Sequence, residues 1–183
     1  MSAETQTVEK IKENAPKLVD KRDPVIRAVL KKFDFSNPPI NPVELTYMLC
    51  DTMLVNKGIG LAANQIGIPY RVFAMRTEPM TVCFNPLIVD KSTKETLLEE
   101  GCLTFPGFFV KVPRAEIIKV RYTEPNGQTV TKKFAGMTAR IFQHELDHLD
   151  GKLFTDYVNR TALALAMKKA NKKGFKYTTQ DFV

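Results

Sequence analysis

TARIFQHELDHLDG, residues 138–151, is the stretch that decides the fold. It predicts a helix from about Thr138 to Leu149, stopped by Asp150-Gly151, since a glycine just past the last turn closes a helix without strain. His144 and His148 lie four residues apart on that helix. Both imidazoles therefore leave the same face and can bind one metal ion, with Glu145 beside them to handle a proton of its water. The two are the only histidines in the chain. A buried, hydrogen-bonded pair is the bland alternative, but it leaves unexplained why the whole histidine complement falls on one HExxH pattern.

Upstream of this helix, residues 70–134 break into short β-rich runs: YRVFAM, TVCFN, LIVD, EIIKVRYT and QTVTKKF. Proline, glycine and charged turns separate them, and Glu124-Pro125-Asn126-Gly127 predicts a hairpin turn. Asn41, Pro42 and Glu44 read as the N-cap, first-turn proline and capping-box residue of an earlier helix that runs to about Asn56, before Gly58. A third helix is expected from Thr161 to Lys173. The class is α+β: short, mostly antiparallel strands packed around a central helix that carries HELDH.

At 183 residues with 44% hydrophobic content, the chain is expected to form one domain over 1–183. It has no run of eighteen apolar residues, and its start, MSAETQTVEKIKENAPK, is polar. Neither a membrane span nor a secretory signal is expected, which places the protein in the cytoplasm. Cys50, Cys83 and Cys102 are odd in number and irregularly spaced, which argues against a disulfide framework and leaves a thiolate free for chemistry. The net charge of +7 is ordinary for a solvated surface. The densest basic run, KKANKKGFK at Lys168 to Lys176, carries no nucleic-acid motif, so sequence-specific nucleic acid is not an expected partner.

Hydrolytic metal centres usually take three protein ligands and leave one position open. Where HExxHxxGxxH proteases place a third histidine, this chain keeps Gly151 but has Phe154. Thermolysin-like proteases use a downstream glutamate, and no glutamate follows Glu145. A thiolate remains, and Cys102, in Glu100-Gly101-Cys102-Leu103 before an expected turn, is the best candidate. Such a set suits zinc, iron(II), nickel or cobalt.

Three motifs stand in order along the chain: GIGLAANQ at Gly58 to Gln65, EGCLT at Glu100 to Thr104 and QHELDH at Gln143 to His148. In this the sequence resembles the peptide deformylases, which remove the formyl group from the N-terminal methionine of nascent polypeptides. Many members have serine where this chain has Thr104, which keeps the hydroxyl. The resemblance implies that Cys102, His144 and His148 hold the metal and that Glu145 takes a proton from its water. It implies that Gln65 and the backbone N–H of Leu103 steady the oxyanion, and that the ion is iron(II), with Zn2+, Ni2+ or Co2+ as replacements. N-formylmethionyl peptides are then the partners.

Ile59 and Gly60 can pair main chain to main chain with an extended peptide, and Gly101 is counted with them in substrate binding. Met137, Arg140 and Ile141 lie seven, four and three residues before His144 and share its face. They are expected to line a pocket for methionine. Either the Arg140 stem lies in the wall with its head reaching solvent, or the head faces the peptide and an acidic group or carboxylate further along it. The first is favoured, because long cationic side chains commonly snorkel. Phe108 and Phe109 would form the opposite wall. Of the charged residues near the motifs, Arg114 is expected to pair with Glu100 or Asp147. Two rivals come from other classes: a zinc endopeptidase, and a ribosome- or RNA-binding module built on the basic run.

Overall fold

The structure, a computed structural model, describes residues 15–182. Most of the polar start read for a leader lies outside them. Helix α1 spans Pro42–Val55. It begins as the sequence predicts, with Asn41 Oδ1 accepting from the backbone N–H of Val43 and Glu44 at 2.9 and 3.3 Å and Pro42 in the first turn, where a missing N–H costs nothing. It ends through Lys57, held at φ 56°, which turns the chain into the glycine-rich segment.

Seven strands follow: β1 (Gly60–Ala62), β2 (Val72–Met75), β3 (Thr81–Lys91), β4 (Glu95–Cys102), β5 (Phe105–Ala115), β6 (Ile117–Thr123) and β7 (Thr129–Ala135). Five form an antiparallel sheet in the order β1-β2-β3-β6-β7, and β4 and β5 form a separate hairpin. TVCFN and LIVD, read as two runs, are one strand. Pro86 interrupts its ladder, and the register shifts between Phe84 and Leu87, with Asn85 at φ 50°. A bulge there accommodates a residue that has no N–H to give. The Asn85 amide is spent on the backbone of Phe33, giving and receiving one bond of 2.8 Å each.

Helix α2 spans Gly136–Leu149 and α3 spans Arg160–Lys172, each within about two residues of its expected limits. Along β2 alternate side chains face opposite ways: Phe73 and Met75 join the core under α2, whereas Val72 and Ala74 join the core under α1. Phe73 meets Phe142 of α2 edge to face, with ring centroids 5.0 Å apart, a geometry worth about 0.5–1.5 kcal/mol beyond burial. A third core lies under the hairpin, where Phe105, Phe108, Val110 and Val112 meet Phe154, Tyr177 and Phe182. Helix α2 thus sits between the sheet and the hairpin with nearly every residue from Ala139 to Leu149 buried. Among the described residues no helix is long and apolar enough to cross a membrane.

Candidate metal centre

Two bodies meet at the site. Cys102 ends β4, just before the turn at Leu103-Thr104 that brings the chain back into β5, while α2 presents His144 and His148 from the other side. Cys102 Sγ lies 3.2 Å from His148 Nε2, and one ligand atom from each of the three residues falls within 4.8 Å of the others. The His144 Nδ1 lies 2.9 Å from Glu100 Oε2. Burial works to raise the Glu100 carboxyl, but His144 and Arg114 outweigh it and hold it at about 2. An ionised carboxylate accepts the ring N–H at Nδ1, which fixes the ring so that its other nitrogen is the one turned toward Cys102.

These donors fit a divalent transition ion. Burial alone would push the Cys102 thiol up, yet the positive charge of the two imidazoles brings it well below its ordinary value. His144, which burial would lower, is carried up to about 10 by Cys102, Glu100 and Glu145. Without metal the site therefore stabilises a thiolate by keeping protons on imidazole, and a cation replaces those protons. A soft thiolate with two imidazoles is also a donor set that these ions favour.

Next to the three donors stands Glu145, buried, with Oε2 unpartnered among the described residues. Desolvation raises its carboxyl to about 7 against the opposing pull of the imidazoles. Room for it exists because position 60 is glycine: a Cβ there would lie 2.8 Å from Glu145 Cδ. Gln65 is fixed at both ends of its amide. Its Oε1 accepts from Ala62 N–H at 2.8 Å, and its Nε2 donates to Cys102 Sγ at 3.3 Å and Thr104 Oγ1 at 3.0 Å. The Leu103 N–H donates to no other described residue.

A cavity of about 660 Å³ opens over these groups. It is lined by Gln65, Cys102, Leu103, His144 and Glu145, and also by Ile59, Gly60, Gly101, Met137, Arg140 and Ile141. His148, fully buried, does not reach the lining. Strand β1 is an edge of its sheet, which leaves one side of Ile59-Gly60 open, although the Ile59 carbonyl is already taken by Arg76 N–H at 2.9 Å.

The polypeptide deformylase family model matches residues 15–163. The chain belongs to the peptide deformylase family. Among its relatives, the peptide deformylase of Bartonella tribocorum is 34% identical over 175 residues, covering 91% of this chain and 97% of the relative. That of Pseudothermotoga lettingae is 40% identical over 136 residues, covering 74% and 78%. The crystal structure of a peptide deformylase from Synechococcus elongatus in complex with actinonin superposes with a TM-score of 0.82 at 35% identity, covering 92% of this chain and 90% of that one. As a member of this metal-dependent family the chain is a hydrolase of translation that acts on N-formylated nascent peptides.

Several deformylase-type features differ from the sequence reading or were absent from it. The Arg140 head does not reach solvent. The residue is 5% exposed, and its guanidinium donates to Glu100 Oε1 at 2.6 Å, to the Val112 carbonyl at 2.9 Å and to the Thr96 carbonyl. A buried cation must be paired, and helix-face geometry cannot reveal a partner that another element supplies. Phe109 lines the cavity, but Phe108 turns away into the hairpin core, as strand alternation requires. Arg114, expected to pair with Glu100 or Asp147, binds both, and Tyr157 Oη donates to Asp147 at 2.9 Å. Nothing in the sequence singled out Tyr157. Asn64 ties the glycine-rich motif to α2 by donating to the His148 carbonyl at 3.0 Å, and its place inside GIGLAANQ was the available signal. Phe154, which stands where another protease class has its third histidine, packs on His144 with ring centroids 5.6 Å apart.

Proposed function

We propose that the chain hydrolyses the formamide of N-formylmethionyl peptides in this cavity, with Cys102, His144 and His148 holding iron(II). Zn2+, Ni2+ and Co2+ are the replacements that the donor set tolerates. The observation that carries this reading is a buried carboxylate oxygen of Glu145, unpartnered and beside three convergent donors. When bound, the ion supplies Lewis-acid chemistry, acidifying water and polarising the formyl oxygen.

The chain's own groups do the rest. Glu145 accepts the proton of the attacking water and returns it to the leaving amine. Gln65 Nε2 and the Leu103 N–H donate to the developing oxyanion. Ala62 and Thr104 hold the Gln65 amide in place, and the N–H that turns to the oxyanion is the one now given to Cys102 Sγ. Main chain at Ile59, Gly60 and Gly101 aligns the peptide, and Met137 and Ile141 receive the methionine side chain, an apolar and deformable pair of surfaces. We place the whole activity in one domain and in the cytoplasm.

The deciding experiment is formate release from formyl-Met-Ala-Ser by protein purified without oxygen, with metal analysis of the same sample. Peptide-bond cleavage in place of formate release would make the chain an endopeptidase. Within this scheme Cys102→Ala, His144→Ala and His148→Ala each lose metal, whereas Glu145→Ala keeps metal and loses turnover. Near-normal turnover of Glu145→Ala would remove it as the base. The exposed lysines 168, 169, 172 and 173 at the end of α3 are assigned to ribosome contact. Salt-dependent co-sedimentation with ribosomes should disappear when they are neutralised, and persistence would sink the assignment.

A further inference from the structure

We infer that Arg140 is a positioning residue of the metal centre, acting through the Glu100 carboxylate to hold the His144 ring. The inference rests on the metal reading proposed above. Arg140 lies one turn before His144 on α2, and its stem is in the cavity wall. Its head enters the β4–β5 hairpin, where it binds the Thr96 carbonyl of β4, the Val112 carbonyl of β5 and Glu100 Oε1 at 2.6 Å.

The count of donors on Glu100 gives the argument its force. A carboxylate offers about four lone-pair sites. Here Oε1 accepts from Arg140 Nη1 at 2.6 Å and Arg114 Nε at 3.0 Å, and Oε2 accepts from Arg114 Nη2 at 3.0 Å and lies 2.9 Å from His144 Nδ1. All four sites are used, so the carboxylate cannot rotate without losing a charged partner. Arg114 cannot hold it alone in the same way, because its remaining Nη1 is committed to Asp147. Removing the Arg140 head leaves one arginine between two buried acids, frees Glu100 to follow it, and takes the fixed acceptor from His144. Arg140 also joins both strands of the hairpin that carries Cys102 to the helix that carries His144, so one side chain sets both halves of the ligand set.

A purely electrostatic role predicts the opposite sign. Deleting a buried cation near a metal ion would hold the ion more tightly, whereas deleting a positioning group releases it faster. The test is release of cobalt(II) to excess EDTA from the cobalt-loaded protein, followed by the thiolate-to-cobalt absorption band, with far-ultraviolet circular dichroism as the fold control. Arg140→Met, which keeps the stem, should release cobalt about tenfold faster or more, within the range seen when partners of metal ligands are removed. Arg140→Lys, which keeps one donor for Glu100 but cannot serve both carbonyls, should stay within about threefold of the parent. Glu100→Gln should resemble Arg140→Met, and the double variant should be no faster than Glu100→Gln alone, the non-additivity of two groups on one path.

Unchanged or slower release from Arg140→Met, or additive effects in the double variant, would overturn the inference. Should Arg140→Met fail to fold, Arg140→Lys decides, since release as fast as from Glu100→Gln overturns it equally. Formate assays on the same samples keep the two claims apart. A parent that holds cobalt but releases no formate defeats the catalytic reading and leaves the comparison of release rates standing.

Discussion

A methyl group at position 60 would collide with the Glu145 carboxylate. Built there, a Cβ stands 2.8 Å from Glu145 Cδ and 2.9 Å from Ile141 Cγ2, both distances that real side chains do not tolerate. Gly60→Ala should therefore keep its metal and lose about a hundredfold or more in kcat on a formylated peptide, the share a positioned base supplies. Full turnover would mean that the carboxylate works from another place. At this scale much was legible, and the reason is local. The HExxH spacing, the thiol after a glycine and the glycine-rich run are properties of adjacent residues, and the structure brings Cys102, His144 and His148 to within 4.8 Å. Arg140 was misread for the same reason. Its helix face follows from its number, but its partner Glu100 lies 40 residues away on a different element.

Among the elements, the helices and the β2, β3, β6 and β7 strands follow from periodicity and caps, whereas the β4–β5 hairpin does not. ETLLEEGC lacks clean alternation, and FPGFFVKVPRA contains two prolines. The hairpin tolerates those prolines because β5 pairs only with β4, so an N–H missing on its free edge breaks no ladder. Its stability comes from one face packed on aromatic rings that are distant in sequence. Phe108 is fully buried there, with Phe182 at 4.6 Å and Tyr177 at 5.3 Å between ring centroids. Phe108→Ala should cost about 3–5 kcal/mol in denaturant unfolding. It should also loosen metal retention, because Cys102 rides on that hairpin. A loss under about 1 kcal/mol would show that the rings are not what holds the hairpin in place.

For the whole molecule, residues 21–27 and 176–182 are tied across the outside of the hairpin core. Arg22 Nε donates to Asp181 Oδ1 at 2.7 Å, and Arg27 Nη2 donates to the Phe182 carbonyl at 2.7 Å. Burial works to raise the Asp181 carboxyl, but the Thr178 N–H and Arg22 outweigh it and hold it below the ordinary range. A depressed folded-state value means that its stabilisation is present above the unfolded value of about 3.9 and is lost as pH falls through the lower folded value. Asp181→Asn should therefore melt below the parent at neutral pH, and the two melting curves should converge as the pH drops below about 4. A gap that persists undiminished in acid would assign the effect to packing rather than charge.

The same closure has a consequence in time. Phe105 and Phe108, which seat the hairpin that carries Cys102, are covered by Tyr177 and Phe182, residues translated some 70 positions later. Synthesis proceeds at about 5–20 residues per second, so for about 2–7 s after His148 is made every proposed metal ligand exists while the surface that holds one of them in place does not. An enzyme whose substrates are unfinished chains is then not fully assembled while it is one: the seat of the hairpin that carries Cys102 closes only when Tyr177 and Phe182 have been made.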